Sequence, residues 1–424
     1  MPEINTGDNA WILTSSALVL LMTPGLAFFY AGLAGRTNVV ATIMHSFIIV
    51  ALISVVWVLW EYSLAFGPDA GHIIGNLSWF GLKGVGADPN PDYAGTIPHL
   101  TFMAFQMMFG IITPALITGA VVGRLKFKTF LVFIVLWATL VYAPIAHWVW
   151  GIGGWLGNLN VIGLGFDGEV PAGYANKALD YAGGTVVHIS SGVSALAAAL
   201  VLGKRRVFGQ EPDVPHNIPF VVLGAALLWF GWFGFNAGSA LSAGGAAANA
   251  FVTTNTAAAA AALAWMSMSW WRGGAPSLVG AAAGAVAGLV AITPAAGWVT
   301  PMAAILIGIG AGVFCYLATR LRSRLKFDDT LDVWAVHGIG GTWGAFATGL
   351  FAVASVGGVN GLFYGNPGQL VNQIVAIVAS WVWAFGITFI LLKVLDKTMG
   401  LRVSEQQEAV GLDVSQHGEP AYTP

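Results

Sequence analysis

Two histidines, His188 and His337, lie inside long apolar segments, and each follows an aspartate by eight residues, Asp180 and Asp329 respectively. An ionisable ring at membrane depth is costly, so it points to a path for ions, protons or small polar solutes before it points to packing. Two imidazoles could bind a metal, relay protons or line a narrow path. The first is disfavoured, because no further carboxylate or thiolate joins them at ligand spacing and no HxxxH or HxxEH pattern occurs. The lone Cys315 also excludes an internal disulfide and a cysteine-rich metal site, so redox chemistry and a resident cofactor are not expected. One buried histidine is most often a satisfied structural residue. Two in equivalent places weaken that reading, because an unpaired polar ring in a low-dielectric interior is destabilising. Neutral rings bonded to each other would share one proton and offer a permeant both a donor and an acceptor.

The elements that must position these rings are membrane helices. Hydrophobic residues make up 57% of the 424-residue chain and charged residues only 8%, with a mean hydropathy of +0.76, whereas soluble domains are charged at about a quarter of positions. Apolar runs able to cross a core of about 30 Å fall near residues 11–33, 39–62, 98–120, 129–150, 184–203, 217–239, 250–270, 276–294, 300–318, 333–355 and 370–395. The expected fold is thus an all-α polytopic membrane protein of eleven transmembrane helices. The start, MPEINTGDNAW, has no basic segment and no small-residue cleavage site, so the first helix is read as retained.

Charge placement sets the orientation. With the N-terminus outside, 15 of the 17 Lys and Arg residues fall on cytoplasmic segments, and only Lys83 and Lys177 lie outside. The outer loops collect Asp69, Asp88, Asp92, Asp167 and Glu169, a mild attraction for cations at most. Spans one to five and six to ten then form halves with an odd number of crossings each, which forces opposite orientations and predicts a 5+5 inverted repeat, about 11–203 and 217–355, plus the final helix 370–395. DYAGGTVVHISSG aligns with DTLDVWAVHGIGG, placing Asp180 on Asp329, His188 on His337 and Gly192 on Gly341. The two imidazoles should therefore meet near the midplane. The Gly/Ala pattern of residues 257–290 is read as close helix packing.

Asp180 stands at the outer start of span five, where a carboxylate accepts backbone N–H groups and can also act on a nearby cation. Asp329 and Asp332 hold the corresponding cytoplasmic entry to span ten, where capping is sufficient. Phe105, Phe109, Trp150, Trp232 and Phe235 lie at helix ends or glycine-rich breaks expected to face outward. Such aromatics commonly anchor helices at the interface, but their faces also attract a desolvating cation by about 1–2 kcal/mol. Ser239 could accept a hydrogen bond from that cation. A small cation that donates hydrogen bonds and can give up a proton fits these features, and ammonium is one.

At these residues the chain resembles the ammonium transporter family, the Amt/Mep/Rh group. DYAGGTVVHISSG at 180–192 and DVWAVHGIGG at 332–341 carry the resemblance, which runs from residue 11 to 422. It implies external ammonium recruitment by Phe109, Trp150 and Ser239, a phenyl gate of Phe109 and Phe235, a twin-histidine pore of His188 and His337, and a required aspartate at Asp180. It further implies a homotrimer in the plasma membrane, ammonium or methylammonium as substrate, and no nucleic-acid partner or enzymatic role. Residues 396–424 form a polar cytoplasmic tail that composition alone would leave disordered. Gly400 to Tyr422 resembles the family's ordered regulatory tail, implying contact with a PII-type protein. Active transport with proton transfer, passive NH3 conduction and a sensor role all remain compatible with these residues.

Overall fold

The computed structural model describes residues 3–164, 170–210 and 214–422, so Asp167 and Glu169 lie outside the described residues. The chain is mostly helical. The long helices are α1 (Thr6–Leu33), α2 (Val39–Phe66), α3 (His99–Ala120), α4 (Phe127–Trp150), α5 (Gly184–Leu202), α6 (Ile218–Gly238), α7 (Gly245–Gly273), α8 (Leu278–Ile292), α9 (Pro301–Leu325), α10 (334–351) and α11 (Pro367–Met399). Among the described residues, eight of them (α1 to α6, α9 and α11) are long and apolar enough to cross a membrane. Helix α7 dilutes its alanines with Asn249, Thr253, Thr254 and Asn255, and α8 is apolar but only 15 residues long. Two short antiparallel hairpins in the α2–α3 connection, Asp69–Ala70 with Ile74–Gly75 and Pro89–Asn90 with Ala94–Pro98, interrupt the all-helical expectation.

Local chemistry sets several helix starts. Asn5, Asn217, Ser277, Thr300 and Asn366 each turn a side-chain oxygen onto an amide of the first turn, and three of these helices add a proline at their first or second position. Small residues then let the helices touch. A Cβ on Gly288 would stand 2.5 Å from the Ala257 carbonyl oxygen, and one on Gly312 would stand 2.6 Å from that of Ala261, so α8 and α9 press on the alanine run of α7.

The same device joins α5 to α10. A Cβ on Gly192 would stand 2.5 Å from the Gly338 Cα, and one on Gly341 would stand 2.9 Å from the Gly184 carbonyl and 3.0 Å from the His188 Cβ. The contact is reciprocal, because the residues the alignment pairs meet each other's neighbours. Each helix opens with a π-helical segment, Gly184–Ile189 in α5 and Trp334–Ile339 in α10, and each segment holds one of the two histidines.

Three arginines counted among the cytoplasmic charges are also structural. Arg124 is fully buried, bonding Thr330 Oγ1 at 2.7 Å and the Ala120 carbonyl at 2.9 Å; Arg205 grips the Asp328 carboxylate at 2.9 Å; and Arg322 donates to the Asp329 carbonyl at 2.8 Å. The tail is ordered against these loops. It forms α12 (Glu405–Val410), which begins with a Ser404–Gln407 capping box, and α13 (Leu412–His417). The buried Asp413 carboxylate accepts the Val39 and Ala41 amides at 3.0 and 2.8 Å, capping the start of α2, and Glu408 accepts the Arg206 amide at 2.6 Å. A polar composition did not leave this segment disordered, because its carboxylates satisfy backbone donors at the ends of other elements.

Gly192→Ala should push α5 and α10 apart and lower stability by about 1–3 kcal/mol, read as a lower melting temperature in detergent. Gly245→Ala, where a Cβ would meet nothing within 4 Å, should leave the melt essentially unchanged.

Candidate functional site

The candidate site is a column running from an aromatic-lined cavity to the paired histidines. The cavity, about 390 Å³, is lined by Phe109, Trp150, Asp180 and Ser239 together with Phe66, Asp92, Tyr93, Phe102, Gln106, Lys177, Tyr181 and Trp298 among others. The predicted recruitment residues are therefore brought together by α3, α4, α6 and the start of α5. The Trp150 indole N–H donates to the Asp180 carbonyl at 2.9 Å, fixing its ring edge-on to Phe109 with centroids 5.9 Å apart. Ser239 Oγ donates its proton to the Phe235 carbonyl at 2.8 Å, so its lone pairs are left to accept from a cation in the cavity.

Sequence reasoning missed Gln106. Its Oε1 is buried without a hydrogen-bond partner on the cavity wall, a ready acceptor for an N–H donor. The signal available was its place in FQMMFG, one residue after Phe105. Lys177 sits 5.8 Å over the Trp298 ring, so a cation already rests on an aromatic face at this cavity.

Phe109 and Phe235 close the floor, with centroids 4.3 Å apart and planes tilted by 35°. Phe105 is not on the cavity wall; it buttresses Phe109 from behind at 5.0 Å. Trp232 also departs from its expected outward placement. It lies below the gate, bonded to Thr293 Oγ1 at 2.9 Å and stacked on His188 at 5.4 Å, because the periodicity of α6 puts it one turn before Phe235 on the same face.

Beneath the gate, His188 and His337 are buried, with ring centroids 5.3 Å apart and planes 27° apart, and their Nδ1 atoms meet at 3.2 Å. One ring must donate and the other accept, so the pair holds one proton between two nitrogens. The space beside them, about 10 Å³, is otherwise lined by Met22, Leu26, Ile112, Leu116, Val187, Leu228, Trp232, Phe235 and Val286. It offers room for about one water-sized molecule, and its apolar wall opposes a bare charge.

Asp180 is a cap of unusual completeness. Its carboxylate accepts the Gly183, Gly184, Thr185 and Val186 amides at 2.7, 2.6, 2.8 and 3.2 Å, and the Thr185 hydroxyl as well. These bonds anchor the π-helical turn, and Gly183 supplies the φ of 112° needed to enter it. Asp329 plays the counterpart role more sparsely, accepting the Trp334 amide at 2.7 Å. Burial pushes its carboxyl above the usual range, and that amide and the Arg322 guanidinium only partly offset the shift. Asp332 shapes the same turn through its backbone and an ion pair. It takes φ 59° at the turn into α10, its carbonyl accepts the Val336 amide, and its carboxylate pairs with Arg322 at 2.7 Å. Of the outer acids, Asp92 reaches the cavity, whereas Asp69 is held by His147 at 2.9 Å.

An aromatic cavity thus stands above a small apolar space that holds two imidazoles, in a chain of membrane-spanning helices. The family model described as the Ammonium Transporter Family matches residues 10–422, and the chain belongs to that family. It is 51% identical to the ammonium transporter of Bacillus subtilis (strain 168) over 419 residues, covering 98% of each chain. It superposes on the crystal structure of Candida albicans Mep2 with a TM-score of 0.87 at 38% identity, covering 99% of this chain and 91% of that one. A solved structure described as a sensor Amt protein matches with a TM-score of 0.85 at 28% identity, covering 97% of this chain and 98% of that one.

Asp180→Ala leaves four amides and a hydroxyl unsatisfied and should destabilise by several kcal/mol, taking about 1–3 kcal/mol per buried orphan group. Asp180→Asn keeps one acceptor oxygen and should lose less. Thermal melts of both variants in detergent check the order.

Proposed function

We propose that this protein carries ammonium inward across the plasma membrane as NH3 with separate transfer of the proton. The reading assigns eleven crossings, related as a 5+5 inverted repeat over about 11–203 and 217–355 plus a final helix at 370–395, with the N-terminus outside, the tail of 396–424 in the cytosol, and three copies per assembly. NH4+ is drawn to the outer cavity by the faces of Phe109 and Trp150 and bonds to Ser239. There it loses its proton. The neutral remainder passes the Phe109/Phe235 gate and bonds in turn to His188 and His337, which accept from and donate to it. The proton follows water, the Asp180 region and the histidine pair. Because Asp180 is saturated by N–H donors, its part is to anchor the turn carrying His188 and to lend negative field at the cavity floor. No enzymatic role is proposed, and methylammonium is a second substrate.

The observation that carries this reading is the 3.2 Å contact between the two imidazoles within an otherwise apolar lumen, directly below an aromatic cavity. Such a lumen passes a solute that can shed its charge and excludes one that cannot. A sensor reading finds support at the other face. A cytoplasmic cavity of about 300 Å³ is lined by Thr37, Asn38, Arg205, Arg206 and the tail residue Glu408, so a PII-type protein that moved the tail would reshape that cavity.

Purified protein in liposomes should give a current on addition of ammonium that protein-free liposomes do not, and none with potassium, which has no proton to release. Ammonia flux without current would instead indicate a passive NH3 channel. A sustained potassium current would contradict deprotonation altogether.

A further inference from the structure

Glu61 is the one acid of helix α2 and lies fully buried on it, in the run WVLWEYSLAF. Neither of its carboxyl oxygens has a hydrogen-bond partner, and no cation is paired with it among the described residues. A lone carboxylate in such a place is strongly disfavoured, and an acid at membrane depth marks a functional position. Glu61 closes a π-helical segment, Trp57–Glu61, and a second, Ala138–Tyr142, stands opposite on α4, joined to the first by the Trp60 indole donating to Thr139 at 3.1 Å. The second segment ends on Tyr142, whose hydroxyl is also buried and without a hydrogen-bond partner. Single π turns are found disproportionately at functional sites. Here two of them face each other, and each ends on an unsatisfied protonatable group.

The pair lies beside the column described above. The Tyr142 ring packs on Trp57 with centroids 6.2 Å apart, and the Thr113 hydroxyl donates to the Phe109 carbonyl on the same helix as Gly110. Trp57, one turn before Glu61, lies against Gly110, the neighbour of Phe109. The other titratable groups nearby are engaged elsewhere: the Tyr62 hydroxyl meets His99 at 2.6 Å, and His147 bonds the Ala65 carbonyl and Asp69.

We propose that Glu61, through the Tyr142 hydroxyl, is a proton-holding site for the transport reaction, an inference that rests on the deprotonation step above. With the outer cavity empty, Glu61 is the neutral acid. An ammonium ion arriving in the cavity favours the carboxylate, and Glu61 releases its proton through bridging water and the Tyr142 hydroxyl to water at the Asp180 region. When ammonium then dissociates, its N–H bond breaks and the electron pair stays on nitrogen. The proton passes through bridging water to the Tyr142 hydroxyl as that hydroxyl gives its own, again through water, to Glu61, restoring the acid. The passage of NH3 is thereby timed to the capture of its proton, so the charge is removed before the solute meets the apolar lumen.

Infrared difference spectroscopy of the wild-type protein in lipid, with and without ammonium, tests this without relying on transport. A carboxylic-acid C=O band should decrease on ammonium addition, and this change should be absent in Glu61→Gln, which keeps the shape but cannot ionise. In liposomes Glu61→Gln should carry roughly tenfold less ammonium current or lower still, with an altered pH profile, whereas Glu61→Asp should restore part of both. Tyr142→Phe should slow the current in the same direction while retaining the acid band, and it serves if Glu61→Gln fails to fold. A wild-type acid band indifferent to ammonium, or Glu61→Gln with wild-type current and pH profile, would overturn the proposal. A wild type with no ammonium current but an ammonium-sensitive Glu61 band would overturn the electrogenic reading and leave the proton-holding site standing.

Discussion

Everything at the centre of this protein depends on how closely α5 and α10 approach. Gly192 against Gly338, and Gly341 against Gly184, bring two helices to backbone contact at the level of the histidines. With any side chain there the imidazoles would separate, and a hydrogen bond between Nδ1 atoms at 3.2 Å would be lost along with the shared proton. In a bilayer, where apolar burial gives helices little reason to associate, contacts between small residues are what hold such a geometry. The alanine run of α7 does the same for α8 and α9. Those helices act as the rigid wall against which the central pair is set.

The π-helical segments complete the arrangement. Each widens the turn that bears a histidine, and each is entered through a special residue: Gly183 at φ 112° before His188, Asp332 at φ 59° before His337. The conformational cost is offset by capping. Asp180 saturates its carboxylate on the first turn of α5, and Asp329 does so partly on α10. On the proposed transport reading, Asp180 acts by holding His188 in place, since its carboxylate is already occupied by backbone donors.

Much of the candidate site's geometry was legible in the sequence. Histidines at membrane depth announce themselves, the eight-residue spacing from each aspartate marks a repeated helix start, and Phe109, Trp150 and Ser239 meet in one cavity. What stayed hidden was geometry without a sequence period. A π turn leaves no mark in hydrophobic patterning, so the role of Gly183 and the twin segments ending on Glu61 and Tyr142 were invisible. Trp232 was misplaced because an aromatic residue near a helix end reads the same whether it faces a vestibule or a lumen. Arg124 and Arg205 read as orientation signals, and only tertiary structure shows them gripping Thr330 and Asp328. Composition alone hid the order of the tail, which only the family resemblance implied, because Asp413 finds its amide partners more than 370 residues away along the chain. Glu61 was overlooked, although a lone acid within WVLWEYSLAF was a signal in plain view.

The central claim is that ammonium crosses through the paired imidazoles as a solute relieved of its charge. The most direct measurement is ammonium-evoked current in liposomes holding either the wild type or the His188→Ala/His337→Ala variant, with the variant's fold verified by its thermal melt. The account predicts current with the wild type and its loss in the folded variant. Undiminished, ammonium-selective current in that variant would contradict it, placing the path or the proton route elsewhere in the protein.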